Sequence, residues 1–445
     1  MSLWKSAVAG FWILAVLLGM HAESSASTIP AATGSTVKLN GGAGFSSDAY
    51  ATVLSQTINV DADKTGLYDI GSQLSFFNAS GDSFWTNGRL VVDGTPLSPV
   101  SNSAPSSSSA TLNSVAQLNL AAGSHTIELQ LNTSNHNVAL NGGVITATGY
   151  NSGAGIPAAT GSTVTSPAAG AGTAFTTVLS QNINVDADKT GLYNINSQLN
   201  FYNSGQNPHN YTRLVIDGNP LPYVASSAQS GTFGNVSVPA QIHLTPGLHT
   251  VELQSMSGSP SGSQNLINLA LTATGFNNVA GTPAATGSVV TLQTASAISV
   301  PVFTTVLSQD VIVDNGKTGL YDIQSQISVL SNTLSSSFMS RLIIDGVPVA
   351  TTAGGAMFQS FGSLTLPAQV NLSPGPHTIA LQILSPAANS FLTPSSGTLM
   401  ATGYNAIVPE PAGLFLAGLA GLALLGLPLR RKKLPGHDAL AEAGL

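Results

Sequence analysis

The 445 residues include only 12 Lys+Arg and 19 Asp+Glu, so 7% are charged, against roughly a quarter in an ordinary soluble domain; 43% are hydrophobic. This balance excludes a disordered polyelectrolyte, and a formal net charge of −7 excludes a surface built to track nucleic-acid phosphates. Cysteine is absent, which removes disulfides, thiol nucleophiles and cysteine-ligated metals.

The first segment, residues 1–26, carries Lys5, an apolar run from Ala7 to Met20 and then Ser24-Ser25-Ala26. A short apolar stretch with one flanking base and small residues behind it is the pattern of a secretory signal helix. Signal peptidase is expected to cut after Ala26, the alternative being an uncleaved anchor.

One unit is then written three times. Thr52-Val-Leu-Ser-Gln56 recurs from Thr177 and Thr305, Lys64-Thr-Gly-Leu-Tyr68 from Lys189 and Lys317, and Arg89-Leu-Val-Val-Asp-Gly94 from Arg213 and Arg341. Each unit opens on Pro-Ala-Ala-Thr-Gly-Ser, at Pro30, Pro157 and Pro283, and closes on Ala-Thr-Gly-aromatic-Asn, at 147–151, 273–277 and 401–405. A repeat of about 125 residues is too long for a solenoid and long enough for its own core. The expected domains are therefore 28–151, 156–277 and 282–405.

Within a unit the apolar residues alternate. Tyr68, Ile70, Leu74 and Phe76 share one face of a strand and Asp69, Gln73 and Ser75 the other, with counterparts around Tyr193 and Tyr321. Period two with one apolar face predicts a half-buried antiparallel strand. Leu90 and Val92 continue the pattern, Asp93-Gly94 supplies a turn, and Leu118 and Leu120 before Gly123 with Ile127, Leu129 and Leu131 after it read as a hairpin. Seven or eight strands separated by Gly, Pro, Ser and Asn predict an all-β chain of three tandem antiparallel β-sandwich domains. The order of Gly-Leu-Tyr, Arg-Leu-Val-Ile-Asp-Gly (213–218), Leu-Thr-Pro-Gly-Leu-His-Thr-Val-Glu-Leu (244–253) and Leu-Thr-Ala-Thr-Gly-Phe (271–276) resembles the complement-component and tumour-necrosis-factor type of jelly roll. It is also similar to jelly-roll carbohydrate-binding modules. The former resemblance implies association around a threefold axis, so the copies either pack as an intramolecular pseudo-trimer or sit as beads on linkers around 151–175 and 277–302.

Candidate chemistry is sparse. His125, His249 and His377 recur in place, each after a glycine turn, but no second histidine or carboxylate recurs at ligand spacing; they read as strand-start histidines with local hydrogen bonds. Asp61-Ala-Asp63 and Asp186-Ala-Asp188 suggest a calcium loop, yet Asp314-Asn315-Gly316 replaces them in the third copy and no bidentate Glu follows, so they read as solvated turn acids. Arg89 faces Asp93 two turns of the pleat away and is expected to pair with it. Among the aromatics near loops, such as Phe84 and Phe338, Trp85, Tyr202 and Tyr211 are the candidate carbohydrate contacts. Asn78, Asn132, Asn210 and Asn235 head glycosylation sequons of the kind chance produces in such a composition. No nucleophile, base and orienter recur together, and neither a cofactor nor a metal is implied, so the chain is expected not to be an enzyme.

The C-terminal segment, 408–433, reads Val408-Pro409-Glu410-Pro411, an uncharged apolar run over 412–429 and then Arg430-Arg431-Lys432-Lys433. Eighteen apolar residues at about 1.5 Å each just span a hydrocarbon layer of ~30 Å as a transmembrane helix, with the bases on the cytoplasmic side. The three parts in order resemble the PEP-CTERM sorting signal. That resemblance implies a Gram-negative exported protein, held at the inner membrane until an exosortase processes it, and an association with exopolysaccharide or biofilm matrix. The tail Leu434–Leu445 departs from the pattern, which normally ends soon after the bases. The expected function is thus a non-enzymatic surface or extracellular-matrix protein, the alternative a lectin-like carbohydrate-binding protein; signal peptidase, exosortase and exopolysaccharide are the expected partners.

Overall fold

A computed structural model describes residues 29–407 apart from 62–63, 80–83, 105–107, 135, 154–155, 188, 205–208, 259–263, 280–281, 294, 299–300, 315–316, 333–335, 357–359 and 386–390. The expected signal helix with Ala26, the sorting motif Val408 to Pro411, the 412–429 helix and the bases Arg430 to Lys433 lie outside the described residues. Among the described residues no helix is long and apolar enough to cross a membrane; they are almost entirely strand.

The first copy contains β1 (Ile29–Pro30), β2 (Ala32–Phe45), β3 (Ala51–Val60), β4 (Lys64–Asn78), β5 (Phe84–Val92), β6 (Thr95–Pro96), β7 (Val100–Ala104), β8 (Ser109–Asn119), β9 (Gly123–Asn132) and β10 (Val138–Gly153). One sheet runs β2-β10-β4-β8 and the other β3-β9-β5-β7, all antiparallel, with β6 closing a hairpin on β5. Counting the eight long strands, the orders are 1-8-3-6 and 2-7-4-5, which is jelly-roll topology. The second and third copies repeat it. The expected hairpin across Gly123 is not one: β8 pairs β4 while β9 pairs β3 and β5, so the chain changes sheet at that glycine. Alternation alone records that both strands face one interior, and cannot record that they do so from opposite sides.

The triplicated motifs now have causes. In Thr52-Val-Leu-Ser-Gln56 the ladder to β9 slips between Thr52 and Leu54, and the same bulge recurs at Thr177/Leu179 and Thr305/Leu307. The motif's Gln56 accepts a hydrogen bond from Ser35 Oγ at 3.0 Å, tying the edge strands of the two sheets together, as Gln181 and Gln309 do with Ser162 and Ser288. Gly66 in Lys-Thr-Gly-Leu-Tyr has φ +75°, and a Cβ there would lie 2.3 Å from the Leu120 carbonyl oxygen, so only glycine fits. Each sandwich encloses its own apolar interior, such as Leu74, Phe76, Leu90, Ile127, Leu129 and Ile145 in the first. At ~1.5–3 kcal/mol per buried aliphatic or phenyl group, these interiors are the main source of stability in a chain without disulfides.

The three sandwiches form one compact unit, Thr28–Val408. They are not beads: the stretches 159–171 and 285–292 inside the expected linkers are the first long strands of copies two and three. Nor is the outer face of β4 half-buried. Gln73 is 3% and Ser75 0% exposed, and in the β4 counterpart Lys189–Asn203 nearly every residue is buried, because the polar face packs against the neighbouring copies. A small fourth apolar cluster is shared by all three copies: Ala31, Leu67 and Tyr150 meet Ala158, Leu192 and Phe276, and Ala284, Leu320 and Tyr404. The chain also closes on itself. β1 pairs with the end of the last strand, Ile29 with Ile407 and Pro30 with Ala406, as Pro157 pairs with Ser152 and Pro283 with Asn278 at the two covalent junctions.

Candidate functional site

Contacts between copies run in a cycle, one to two, two to three and three to one, which is the closed heterologous arrangement of a cyclic trimer built in one chain. The registers stack them in layers along a quasi-threefold axis. At one pole the rings of Tyr150, Phe276 and Tyr404 meet edge-on with centroids 5.9–6.1 Å apart. These are the aromatic residues of Ala-Thr-Gly-aromatic-Asn. The motif's Asn151, Asn277 and Asn405 donate to the carbonyls of Pro30, Pro157 and Pro283, fixing each junction.

Beneath the rings lies a polar layer. Asp69 accepts from Thr274 Oγ1 at 2.6 Å, Tyr150 Oη at 2.7 Å and Gln117 Nε2 at 2.9 Å. Asp322 repeats this with Thr148, Tyr404 and Gln369. In copy two Asn194 replaces the acid. It donates to Thr402 Oγ1 and accepts from Gln241, and the tyrosine that would have donated to a carboxylate is Phe276. Acid and phenol are thus present or absent together. Burial pushes the carboxyls of Asp69 and Asp322 above the usual range, opposed by the three donors around each, and Asp69 raises Asp322 further. Beyond this layer the axis holds a cavity of about 60 Å³ lined by Asp69, Asp322, Asn194, Asn196, Thr146 and Gln324 among others. Through Asp69–Thr274, Asn194–Thr402 and Asp322–Thr148 the layer locks each copy to a neighbour.

At the opposite pole, beyond Gln73 and its 2.6 Å bond to Thr352, the copies leave a cup of about 50 Å³ lined by Ser, Thr, Asn, Gln, Gly and Ala with Phe361, and by no charged residue. Aromatic residues stand beside it at two seams. Trp85 of copy one, 45% exposed, meets Phe233 of copy two edge-on at 6.2 Å, and Tyr202 lies 5.0 Å from the same ring. At the next seam His209 and Tyr211 of copy two meet Phe361 of copy three at 5.3 and 5.9 Å, with exposed Tyr223 on Tyr211. The structure therefore places Trp85 and Tyr202 together and Tyr211 apart from them. Phe233 and Phe361 were not singled out by sequence, because the first copy has Ser109 at their position.

The recurrent histidines are structural. His125 Nδ1 contacts Asp93 Oδ2 at 2.6 Å and its Nε2 contacts the Ala121 carbonyl at 2.8 Å. Both partners are acceptors, a setting that favours the doubly protonated imidazolium. The Asp93 bond pushes His125 up and the His125 bond pulls Asp93 down, and the pairs His249–Asp217 and His377–Asp345 behave alike. Asp93 has φ 50° in the Asp-Gly turn, and its other oxygen accepts from Thr126 N. This overturns the expected Arg89–Asp93 pair. Arg89 instead donates through Nε and Nη2 to Gln130 Oε1 and stacks 4.0 Å over Tyr50, because the left-handed turn swings the acid toward β9.

Asp61 and Asp186 each accept from a nearby asparagine, Asn59 and Asn184, while Asp63, Asp188, Asn315 and Gly316 lie outside the described residues. Among the described residues no group of three or more His, Asp or Glu could hold a metal ion. The sequon residues Asn78, Asn210 and Asn235 are buried.

No family model matches the chain, and no curated protein matches it. Among solved structures, it is similar to one of Sulfolobus Turreted Icosahedral Virus (11% identity, 80% of this chain and 84% of that one, TM-score 0.19). It is also similar to the infectious bursal disease virus VP2 subviral particle (10%, 89% and 88%, TM-score 0.23) and to PNGF-II (8%, 73% and 100%, TM-score 0.27). The class is jelly-roll, three copies in one chain, and it rests on the strand order above.

Proposed function

We propose that the chain is an exported, non-enzymatic surface or matrix protein of a Gram-negative bacterium, delivered through signal peptidase and an exosortase. The carrying observation is polarity. β1 and the end of the last strand meet at the Tyr150 pole, so the chain passes into the segment bearing Pro409-Glu410-Pro411 from there. The uncharged cup and its aromatic seams lie at the other pole, roughly 30 Å away along the nine residue steps from Tyr68 to Phe77. The test is fractionation, in a host carrying an exosortase, of tagged chain with Pro409-Glu410-Pro411 intact or replaced by alanines. Retention of the altered chain in the inner membrane supports the route, and identical distributions overturn it. A second reading, lectin-like binding of exopolysaccharide, is favoured by the exposed indole of Trp85 beside neutral amide and hydroxyl groups, the surface a pyranose ring stacks on.

A further inference from the structure

We infer that the chain carries two binding sites for neutral polysaccharide, each built across a seam between copies, and that the described residues of the third seam do not repeat them. The inference rests on the lectin-like reading and specifies its sites, ligand charge and number.

The three seams differ at equivalent positions. Trp85, His209 and Ser337 pair with Ser103, Ser227 and Gly355 on the adjoining strand. Across the seam, the backbone nitrogen of Phe233 donates to Ser103 Oγ at 3.0 Å, and that of Phe361 to Ser227 Oγ at 3.0 Å. At the third seam Ser109 takes the place of these phenylalanines and Gly355 that of the serines; a Cβ on Gly355 would lie 2.8 Å from the Ser109 carbonyl oxygen. The two aromatic seams thus have an aromatic ring from one copy, a phenylalanine from the next and a seryl hydroxyl joining them. Among the described residues, the third has none of the three at these positions.

The ligand follows from what surrounds the rings. The cup they border is lined by hydroxyl and amide side chains, Asn102, Thr232 and Asn235 among others, and by no charged residue. Burial pushes the His209 imidazole below its usual value. Aromatic faces beside neutral donors and acceptors fit sugar rings, whereas phosphate or uronate groups would find no counter-charge among the residues lining the cup. At about 50 Å³ the cup cannot enclose a pyranose, so the sugar lies along the rim, as an internal segment of a chain can.

The test is titration calorimetry of residues 28–407 with neutral hexasaccharides, cellohexaose and maltohexaose, and with an oligogalacturonate of the same length. Two neutral hexasaccharides per chain are expected, with oligogalacturonate at least tenfold weaker. Trp85→Ala should lower the stoichiometry from two to one, Tyr211→Ala with His209→Ala likewise, and the triple variant to none; unchanged thermal unfolding shows each variant folded. Binding whose stoichiometry ignores these substitutions, or that favours oligogalacturonate, overturns the seam sites and leaves the lectin-like reading standing. If neither neutral probe binds, both fall.

Discussion

Replacing Asp69 by Asn tests the polar lock. The carboxylate accepts from Tyr150 at 2.7 Å, Thr274 at 2.6 Å and Gln117 at 2.9 Å. An amide keeps one acceptor, and Asn194 shows the adjustment: its Nδ2 donates to Thr402 Oγ1 at 2.9 Å and its oxygen accepts from Gln241 at 2.9 Å. Thr274 and Gln117 can follow that pattern, but the Tyr150 hydroxyl loses its carboxylate acceptor. A charge-assisted hydrogen bond contributes about 1.5–3 kcal/mol, and removing a buried charge returns part of that, so Asp69→Asn should cost about 1–2 kcal/mol. Tyr150→Phe alone should cost a similar amount by leaving Asp69 one donor short. The double variant reproduces the Asn194–Phe276 combination of copy two, so its cost should fall short of the sum of the singles by about 1 kcal/mol or more. Urea midpoints at constant m on residues 28–407, pH 7, measure this. Additivity of the two substitutions to within about 0.5 kcal/mol would refute the coupled acid–phenol account.

The pH response should have two opposed parts. Asp69 and Asp322 are pushed up by burial, so their contribution is full below the ordinary carboxylate value and lost as pH rises through the raised one. Asp69→Asn with Asp322→Asn should therefore flatten the decline in urea midpoint from mild acid toward neutrality, and an unchanged slope contradicts it. The His–Asp pairs act between the lowered aspartates and the raised histidines, so the midpoint loss caused by His125→Gln should be greatest from about pH 4 to 6.5 and shrink as pH rises through the raised histidine value. Gly149→Ala should cost about 1–3 kcal/mol by thermal unfolding, because its Cβ would lie 2.3 Å from the Tyr68 ring; no loss would mean that the ring is not seated there. Small-angle scattering of residues 28–407 should give a radius of gyration near 21 Å, about that of a compact chain of this length, and an elongated particle contradicts the packed arrangement.

The strands were legible because one face of each is apolar in every copy, and the topology was not, since alternation does not record which sheet a strand joins. The polar face of β4 misled for a physical reason. Asp69, Gln73 and Ser75 are what solvent exposure would select, yet they are buried among equally polar partners from another copy, where each finds a hydrogen bond. A signal for this existed: the acid at 69, 194 and 322 changes to amide only where the aromatic at 150, 276 and 404 changes to Phe. The aromatic seams were half legible. Trp85, Tyr202 and Tyr211 stood out by type, but Phe233 and Phe361 belong to positions that the first copy fills with Ser109, and a site divided between copies leaves no local pattern.

The pairing of Ile29–Pro30 with the last strand makes the third junction equivalent to the two peptide-linked ones, without a bond. The order in which the copies are synthesised is then incidental to the folded object. A gene rearranged to join residue 407 to residue 29 through a short linker, and opened instead between copies one and two, should encode the same particle with its ends displaced by a third of a revolution.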